Sequence, residues 1–342
     1  KEISGAVMLT GFGTGQANKY EENKKIKTQG IYKHLLLQVT NKLKGRRDFK
    51  MENKKITKAV IPAAGLGTRM LPIARAVPKE MLPIVDKPAI SYLVEEAANS
   101  GITDILIITG RNKGAMEDYF DFSPEYEDKL RASGKESWIP GIREICERVN
   151  VTFMRQRETK GLGHAVLRAK SFTGDEPFLV LYGDDIIFSE TPVCKQLIDA
   201  YDKYGLAVAG IKEVTKEQIL KYSSMKTEPL GGNHYHISTM IEKPKPDQIY
   251  SLFSILGRVL LTPEIYDILE NTPLGAGNEL QLTDAMKTLS ETKGMTGVDF
   301  EGKRFDLGSK LGFLMANVEQ AVKNEELGEQ FKSYLKEFVK TL

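Results

Sequence analysis

Short apolar runs alternate with segments of helical spacing in this sequence, and this alternation constrains the fold more than any other feature. Residues 104–109 contain a continuous apolar run, which is typical of a strand covered on both faces. Before it, apolar residues recur at helical spacing from Pro88 to Ser100, and residues 59–61 form an earlier apolar run. Strand, helix and strand in this order predict a βαβ unit with parallel strands.

Further apolar runs at 151–154, 178–182, 206–211 and 255–261 continue the pattern. We therefore predict an α/β fold: a doubly wound, mixed and mostly parallel sheet of Rossmann-like type, with helices on both faces. Ligands of such sheets bind at the carboxyl ends of the strands. Residues 311–342 predict two amphipathic helices that cover the sheet or a partner subunit.

The charge of the chain is unevenly distributed. Residues 1–50 hold 11 basic and 4 acidic side chains, whereas residues 51–342 hold 37 and 42, so the overall charge of +2 hides a basic arm. The arm lacks the heptads, aromatic interleaving and amphipathic face that would indicate nucleic-acid or lipid binding. Since Met51 looks like a natural start, we predict that residues 1–50 are a non-native or disordered basic extension.

Other sequence features indicate a cytoplasmic protein that binds neither nucleic acid nor membrane. No run approaches the roughly 18 apolar residues of a membrane span, and no signal peptide precedes Met51. Cys146 and Cys194 belong to no recognisable motif, which suits a reducing compartment.

A loop of small residues follows the first predicted strand. Gly65 and Gly67 let the backbone turn tightly and bring its N–H groups close to a polyphosphate, and Arg69 and Lys79 would add full positive charges. Such a loop alone is more often a structural turn. It is not a P-loop, because no Gly-Lys-Ser/Thr follows it, and it is not a dinucleotide fingerprint, because Met70 stands where the third glycine would be.

Two later strands end in polar side chains that could bind a ligand. Asp184 and Asp185 follow the strand 178–182, where Mg²⁺ could bind beside a polyphosphate; a turn with aspartate caps is the alternative. Gln156 follows the strand 151–154, and its amide could match the donor and acceptor edge of uracil. Taken alone, Gln156 is better explained as a solvated loop residue.

The loop motif and its neighbours resemble a known family. Residues 65–69, Gly-Leu-Gly-Thr-Arg, followed by Pro78-Lys79, resemble the signature of sugar-1-phosphate nucleotidyltransferases. Residues 79–88 resemble the bacterial UTP–glucose-1-phosphate uridylyltransferase family in particular. Six blocks occur in the family's order from about Lys54 to the C-terminus, so we predict a nucleotidyltransferase domain over residues 51–342.

The resemblance implies Mg²⁺-dependent transfer of a uridylyl group from UTP to glucose 1-phosphate, which gives UDP-glucose and pyrophosphate, by a homo-oligomer (dimer or tetramer). It also implies a role for each matching residue. The catalytic cations would be Arg69, Lys79 and Lys243, and the Mg²⁺ ligands Asp184 and Asp306. The nucleotide would contact Ala64, Gly65, Gly67, Thr68, Glu80, Gln156 and Gly161, and the sugar would contact Ser223, Glu242 and Glu279.

Two positions depart from the family pattern on the sugar side. Ser223 stands where the family has glycine, and Leu252 replaces the usual asparagine. One alternative is therefore a nucleotidyltransferase for another nucleoside triphosphate or sugar 1-phosphate. A second is a low-activity regulatory paralogue that binds a UDP-sugar. The catalytic cations and Asp184 argue against the second, because a pure binder does not need them.

Overall fold

A computed structural model describes residues 55–342, and the basic extension predicted for residues 1–50 lies outside the described residues. The strands of this part of the chain are β1 Lys58–Ala63, β2 Pro83–Ile84, β3 Lys87–Pro88, β4 Asp104–Thr109, β5 Asn150–Arg155, β6 Phe178–Leu181, β7 Asp185–Phe188, β8 Ala207–Glu213, β9 Ser223–Gly231, β10 His234–Glu242, β11 Phe253–Leu261, β12 Met295–Asp299 and β13 Lys303–Asp306.

The main sheet has the strand order β5-β4-β1-β6-β11-β8-β12-β10-β9. Only β10 and β11 run opposite to the others, so the predicted mixed, mostly parallel sheet is confirmed. The chain builds outward from β1 to β4 and β5, and then returns to the other side of β1 with β6. This reversal is a topological switch point, where open α/β sheets bind their ligands.

Helices cover both faces of the sheet, as predicted. The α-helices are α1 Ala89–Asn99, α2 Gly114–Tyr119, α3 Pro124–Ala132, α4 Ile139–Arg148, α5 Leu162–Arg168, α6 Lys170–Thr173, α7 Val193–Tyr204, α8 Lys216–Ile219, α9 Glu264–Asn271, α10 Leu282–Thr292, α11 Lys310–Lys323 and α12 Gly328–Val339. Short 3₁₀ turns are Thr68–Met70, Ile73–Arg75, Lys79–Met81, Glu136–Trp138, Pro246–Gln248 and Ala276–Asn278.

Strand β4 explains why both faces are apolar. Ile105 and Ile107 pack into one core with residues of α1 and α7, whereas Leu106 and Ile108 pack into a second core with residues of α5 and α10. Successive side chains of a strand point to opposite faces, so a continuous apolar run requires a cover on each side. The two cores hold the strands, and therefore the loops at their carboxyl ends, in fixed positions.

Two helices, α3 and α4, lie between Asp118 and Asn150, and the two helices expected at the C-terminus are α11 and α12. Trp138 remains 66% exposed, so it takes no part in the core. Within residues 55–342, no helix combines the length and the apolar character needed to cross a membrane.

Candidate functional site

The loop after β1 brings two cations to the switch point of the sheet. Gly67 adopts a left-handed conformation (φ 67°), which reverses the chain before the 3₁₀ turn that carries Arg69. Lys79 begins another 3₁₀ turn directly after Pro78. Gly65 does not share the left-handed conformation, but a Cβ there would meet open space, so its backbone is accessible to a ligand.

These cations face two carboxylates from distant parts of the chain. The Nζ of Lys79 lies 2.6 Å from Oδ2 of Asp184. The guanidinium of Arg69 lies 3.5 Å from Asp184 and 3.6 Å from Oδ2 of Asp306. A Cβ at Gly308 would collide with this guanidinium, so any larger residue there would displace the side chain of Arg69. Four of the predicted residues therefore form one cluster of alternating charge.

Electrostatics keep the Lys79 and Asp184 pair ionised. Burial lowers the pKa of Lys79, but the negative charges of Asp184 and Glu80 outweigh this and raise it overall. Burial raises the pKa of Asp184, but Lys79 and Arg69 hold it below its usual value. Both groups are thus charged at neutral pH, as a site for a polyphosphate and a cation requires.

Backbone pairing holds Asp306 beside Asp184. Strands β7 and β13 are antiparallel, with Asp306 opposite Asp185. The N–H of Leu307 donates to the carbonyl of Asp184 at 2.8 Å, and the N–H of Gly308 donates to Oδ1 of Asp306 at 2.8 Å. No group of three or more His, Cys, Asp or Glu side chains that could hold a metal ion occurs in the described chain. Two carboxylates nevertheless fit Mg²⁺, which binds through one or two carboxylates plus phosphates.

Asp185 is directed away from this cluster. Its Oδ1 accepts from Nε of Arg304 at 2.7 Å, and the second guanidinium contact is 2.5 Å. The same guanidinium lies 5.2 Å from the ring centre of Tyr222. Asp185 is buried, and burial raises its pKa to about 6 although Arg304 opposes this. The expectation that Asp184, rather than Asp185, is available to a metal agrees with this geometry.

A cavity of about 640 Å³ opens beside the charged cluster. Four residues predicted on the nucleotide side or at the phosphates line it: Ala64, Gly65, Lys79 and Gln156. The cavity is also lined by residues 110–113, which follow β4, and by residues 157–160, which follow β5. The cavity therefore lies at the carboxyl ends of neighbouring strands.

Glu80 lies beneath the cavity instead of in its wall. Its side chain is 1% exposed and accepts from Nζ of Lys113 at 2.8 and 2.9 Å. Lys113 also donates to the carbonyl of Ala63 at the end of β1. The pair ties the loop after β4 to the turn that carries Lys79. Sequence reasoning missed Lys113, although its position just after an apolar strand was a usable signal.

Gln156 and Gly161, both predicted on the nucleotide side, lie in contact with each other. The side-chain Nε2 of Gln156 donates to the carbonyl of Gly161 at 3.1 Å. Gly161 has a left-handed φ of 97°, and a Cβ there would lie 2.7 Å from the carbonyl oxygen of Leu280 and 2.8 Å from Cβ of Glu279. Only glycine permits this close approach. As a result Glu279, which is predicted to contact the sugar, lies next to Gly161, which is predicted to contact the base.

The remaining sugar-side residues lie on β9, β10 and the loop after β10. Glu242 accepts from Oγ1 of Thr283 at 2.8 Å, and burial raises the pKa of Glu242. Lys243 is exposed, has a left-handed φ of 46°, and donates its backbone N–H to Tyr222. Such strained backbone is concentrated at functional sites.

Ser223 is buried, and its hydroxyl lies 3.3 Å from both the hydroxyl of Ser254 and the backbone N of Ile255. The side chain that replaces the family's glycine is thus used inside the protein, between β9 and β11. Within residues 55–342, the hydroxyl of Ser223 makes no hydrogen bond to the charged cluster.

The geometry defines a nucleotide-handling α/β protein, and comparison with known proteins identifies its family. The family model described as nucleotidyl transferase matches residues 58–322. The chain therefore belongs to the nucleotidyl transferase family.

Two relatives of this chain carry names that state the same activity. The UTP–glucose-1-phosphate uridylyltransferase YngB of Bacillus subtilis is 49% identical over 84% of this chain and 97% of the relative. The UTP–glucose-1-phosphate uridylyltransferase of Staphylococcus epidermidis is 47% identical over 83% of this chain and 99% of the relative. A crystal structure of a UDP-glucose pyrophosphorylase complexed with UDP-glucose has a TM-score of 0.72 and 42% identity, over 79% of this chain and all of that chain.

Proposed function

We propose that this protein transfers the uridylyl group of UTP to glucose 1-phosphate and releases pyrophosphate. The observation that carries the proposal is the cluster of Arg69, Lys79, Asp184 and Asp306 at the switch point, beside a cavity large enough for a nucleotide. The activity named for relatives with nearly half of their residues identical supports the choice of substrates.

The reaction is a direct displacement at phosphorus. A phosphate oxygen of glucose 1-phosphate forms a bond to the α-phosphorus of UTP, and the bond from that phosphorus to the oxygen bridging the α- and β-phosphates breaks. The electron pair of the broken bond leaves with pyrophosphate. The attacking oxygen is already anionic, so the site needs no general base, and positioning with charge neutralisation supplies most of the catalysis.

Each side chain of the site has a role in this scheme. Arg69, which is 63% exposed, and Lys79 bind the β- and γ-phosphates and stabilise the leaving group. Lys243 binds the phosphate of the sugar, and its ammonium has no ion-pair partner within 4 Å in the described chain. Glu242 and Glu279 accept hydrogen bonds from sugar hydroxyls.

We propose Mg²⁺ as the cofactor, held by Asp184 and Asp306. Enzymes of this family generally use a divalent metal, and Mg²⁺ matches two carboxylates that also face a polyphosphate. When bound, the ion supplies positive charge for the phosphate oxygens in the transition state. The chain's own contribution is to hold both carboxylates beside Arg69 and to keep Asp184 ionised.

Pyrophosphate release tests the proposal. The protein is assayed with UTP and glucose 1-phosphate, beside dTTP, CTP and galactose 1-phosphate, with and without EDTA. We expect EDTA-sensitive release with UTP and glucose 1-phosphate that exceeds every other pair. Faster release with dTTP or galactose 1-phosphate would show a different substrate, and binding of UDP-glucose without any release would show a regulatory paralogue.

We also propose that the protein is a cytoplasmic homo-oligomer, a dimer or tetramer. Four side chains spaced along one stripe of α11 are exposed: Leu311, Leu314, Met315 and Val318. Exposed apolar stripes of this kind are typical of subunit interfaces. The two free cysteines, Cys146 and Cys194, are consistent with a reducing compartment.

A further inference from the structure

The amide of Gln156 is fixed by two neighbours at the end of β5. Gln156 is 7% exposed, and its Nε2 lies 3.1 Å from the carbonyl oxygen of Gly161 and 2.9 Å from Nδ1 of His164. A carbonyl can only accept, so the amide atom that faces Gly161 must be the nitrogen. The shape of the amide does not distinguish its oxygen from its nitrogen, so the group could be placed in either of two flipped orientations. The contact with Gly161 decides between them.

The same nitrogen decides the state of His164. Because Nε2 of Gln156 can only donate, Nδ1 of His164 must accept, and the imidazole is therefore neutral with its proton on Nε2. Burial, together with the positive charges of Lys160 and Arg168, lowers the pKa of His164. The neutral form is thus the main form at neutral pH.

The remaining atom of the amide is the one that a base can reach. Both protons of Nε2 are used by Gly161 and His164, whereas Oε1 accepts no hydrogen bond from any described residue. Gln156 lines the cavity beside Ala64 and Gly65. Among the described residues, Oε1 of Gln156 does not belong to the fully buried polar atoms without a partner, so it is accessible. The amide therefore presents only an acceptor to the cavity, whereas the sequence suggested that it would offer uracil both a donor and an acceptor.

We propose that His164 is a positioning residue for base selection, which it performs by holding Gln156 with Oε1 toward the nucleotide. This role rests on the proposed function, in which Gln156 contacts the base. An acceptor at this point pairs with the N3–H of uracil, whereas cytosine has an acceptor at N3. A site built to hydrogen-bond one group rejects analogues that lack it.

Removal of the Nδ1 acceptor frees the amide to rotate. In His164→Leu the nitrogen of Gln156 can turn toward the cavity, so we expect the KM for UTP to rise roughly ten-fold. The KM for glucose 1-phosphate should stay within about two-fold, and the ratio of kcat/KM for UTP to that for CTP should fall. In His164→Asn, Oδ1 can take the place of Nδ1, so this variant should keep a ratio near that of the wild type.

The steady-state experiment separates this role from a structural one. Loss of general packing would affect both variants and both substrates, and circular dichroism checks that each variant is folded. An unchanged UTP to CTP ratio in active His164→Leu would overturn the proposal, as would His164→Asn behaving like His164→Leu. If the wild type itself does not turn over UTP with glucose 1-phosphate, the proposed function fails instead.

A measurement on the wild type needs no variant and no turnover. The ¹⁵N chemical shifts of the His164 ring at neutral pH report which nitrogen carries the proton. We expect the tautomer protonated at Nε2, with Nδ1 as the acceptor. A proton on Nδ1, or a doubly protonated ring, would leave Gln156 without this partner and would overturn the proposal.

Discussion

Asp184 is the carboxylate that pairs with both cations of the site. It faces Lys79 and Arg69 together, and both cations lower its pKa although burial opposes them. A carboxylate held ionised in this way can serve a metal ion and orient two cations at once. Lys243 is the complementary case, since its ammonium is exposed and its strained backbone is held by a hydrogen bond to Tyr222.

The substitution Asp184→Asn tests the metal assignment. It preserves size but removes the charge, so we expect metal-dependent turnover to fall about a hundred-fold or more. Circular dichroism should show an intact fold, and Asp199→Asn on the surface of α7 should retain full turnover. Near-normal activity of Asp184→Asn across a Mg²⁺ titration would refute the assignment.

The substitution Lys243→Ala tests the assignment to the sugar phosphate. One charge-assisted contact to this substrate is lost, so its KM should rise roughly ten-fold while the KM for UTP changes little. Lys221→Ala removes an exposed lysine from a neighbouring turn and should change neither value. Equal increases in both KM values for Lys243→Ala would count against the role.

At the level of elements, one buried ion pair joins α1 to β11. Arg258 is fully buried and its NH2 lies 2.6 Å from Oε2 of Glu96, while its NH1 donates to the carbonyl of Asp185 at 2.9 Å. The pair therefore lies directly behind the loop that carries Asp184, the proposed metal ligand. Gly257, at an irregularity in β11, allows Asp185 to approach, since a Cβ there would lie 2.8 Å from that of Asp185.

The substitution Arg258→Met leaves Glu96 buried without its partner. Breaking a buried pair in this way costs about 3–5 kcal/mol, so the free energy of unfolding from urea titration should fall by that order. The double variant Glu96→Leu, Arg258→Met should recover much of the loss. The control Asp199→Ala breaks an exposed ion pair on α7. If Arg258→Met lowers the free energy of unfolding no more than this control does, the buried pair of Arg258 and Glu96 contributes little.

Elements with a local signal could be predicted from the sequence. The segment 104–109 matches β4 residue for residue, because its continuous apolar run at 105–108 is typical of a strand covered on both faces. The order in which the strands pair could not be predicted beyond the first βαβ unit. Pairing between distant strands depends on which apolar faces pack together in the folded chain. The pattern of a single sequence does not show which faces these are.

The same limit applies to the site. Arg69, Lys79 and Asp184 stand in short motifs at strand ends, and the structure brings them together. Their supporting partners gave no comparable signal, because Arg304 lies 119 positions from Asp185 and Lys113 lies 33 positions from Glu80. Such side chains have ordinary surface types, and only folding reveals what they contact.

For the whole molecule, the exposed apolar residues of the two C-terminal helices are the main feature that the described chain does not cover. On α12, Tyr334 stacks on Phe338 with ring centres 5.9 Å apart, and both are exposed. Together with the exposed stripe of α11, these rings give both C-terminal helices apolar side chains that a second copy could cover. We therefore expect self-association to bury these helices.

Two substitutions within the α11 stripe test this expectation. The variant Leu314→Lys, Val318→Lys places charges in the proposed interface, so light scattering should show the 38.2 kDa monomer where the wild type shows a multiple of that mass. Glu325→Lys, between the two helices, is the charge control and should keep the wild-type mass. A monomeric wild type would contradict the proposed oligomer.

Removal of residues 1–50 tests the domain boundary predicted from the sequence. A chain that starts at Met51 should fold and retain the turnover of the full chain, since every residue of the candidate site lies between 64 and 306. Thermal melts and steady-state rates of the two chains make the comparison. Unfolding or loss of turnover on truncation would show that residues 1–50 are needed for folding or activity.

The central claim is that this site joins the uridylyl group of UTP to glucose 1-phosphate, and ³¹P NMR of the reaction mixture tests it most directly. With Mg²⁺ present, we expect the resonances of UTP and glucose 1-phosphate to be replaced by those of UDP-glucose and pyrophosphate in equal amounts. The same mixture with Asp184→Asn should remain almost unchanged. Unchanged substrates with the wild type, or products only with another nucleotide or sugar phosphate, would contradict the account.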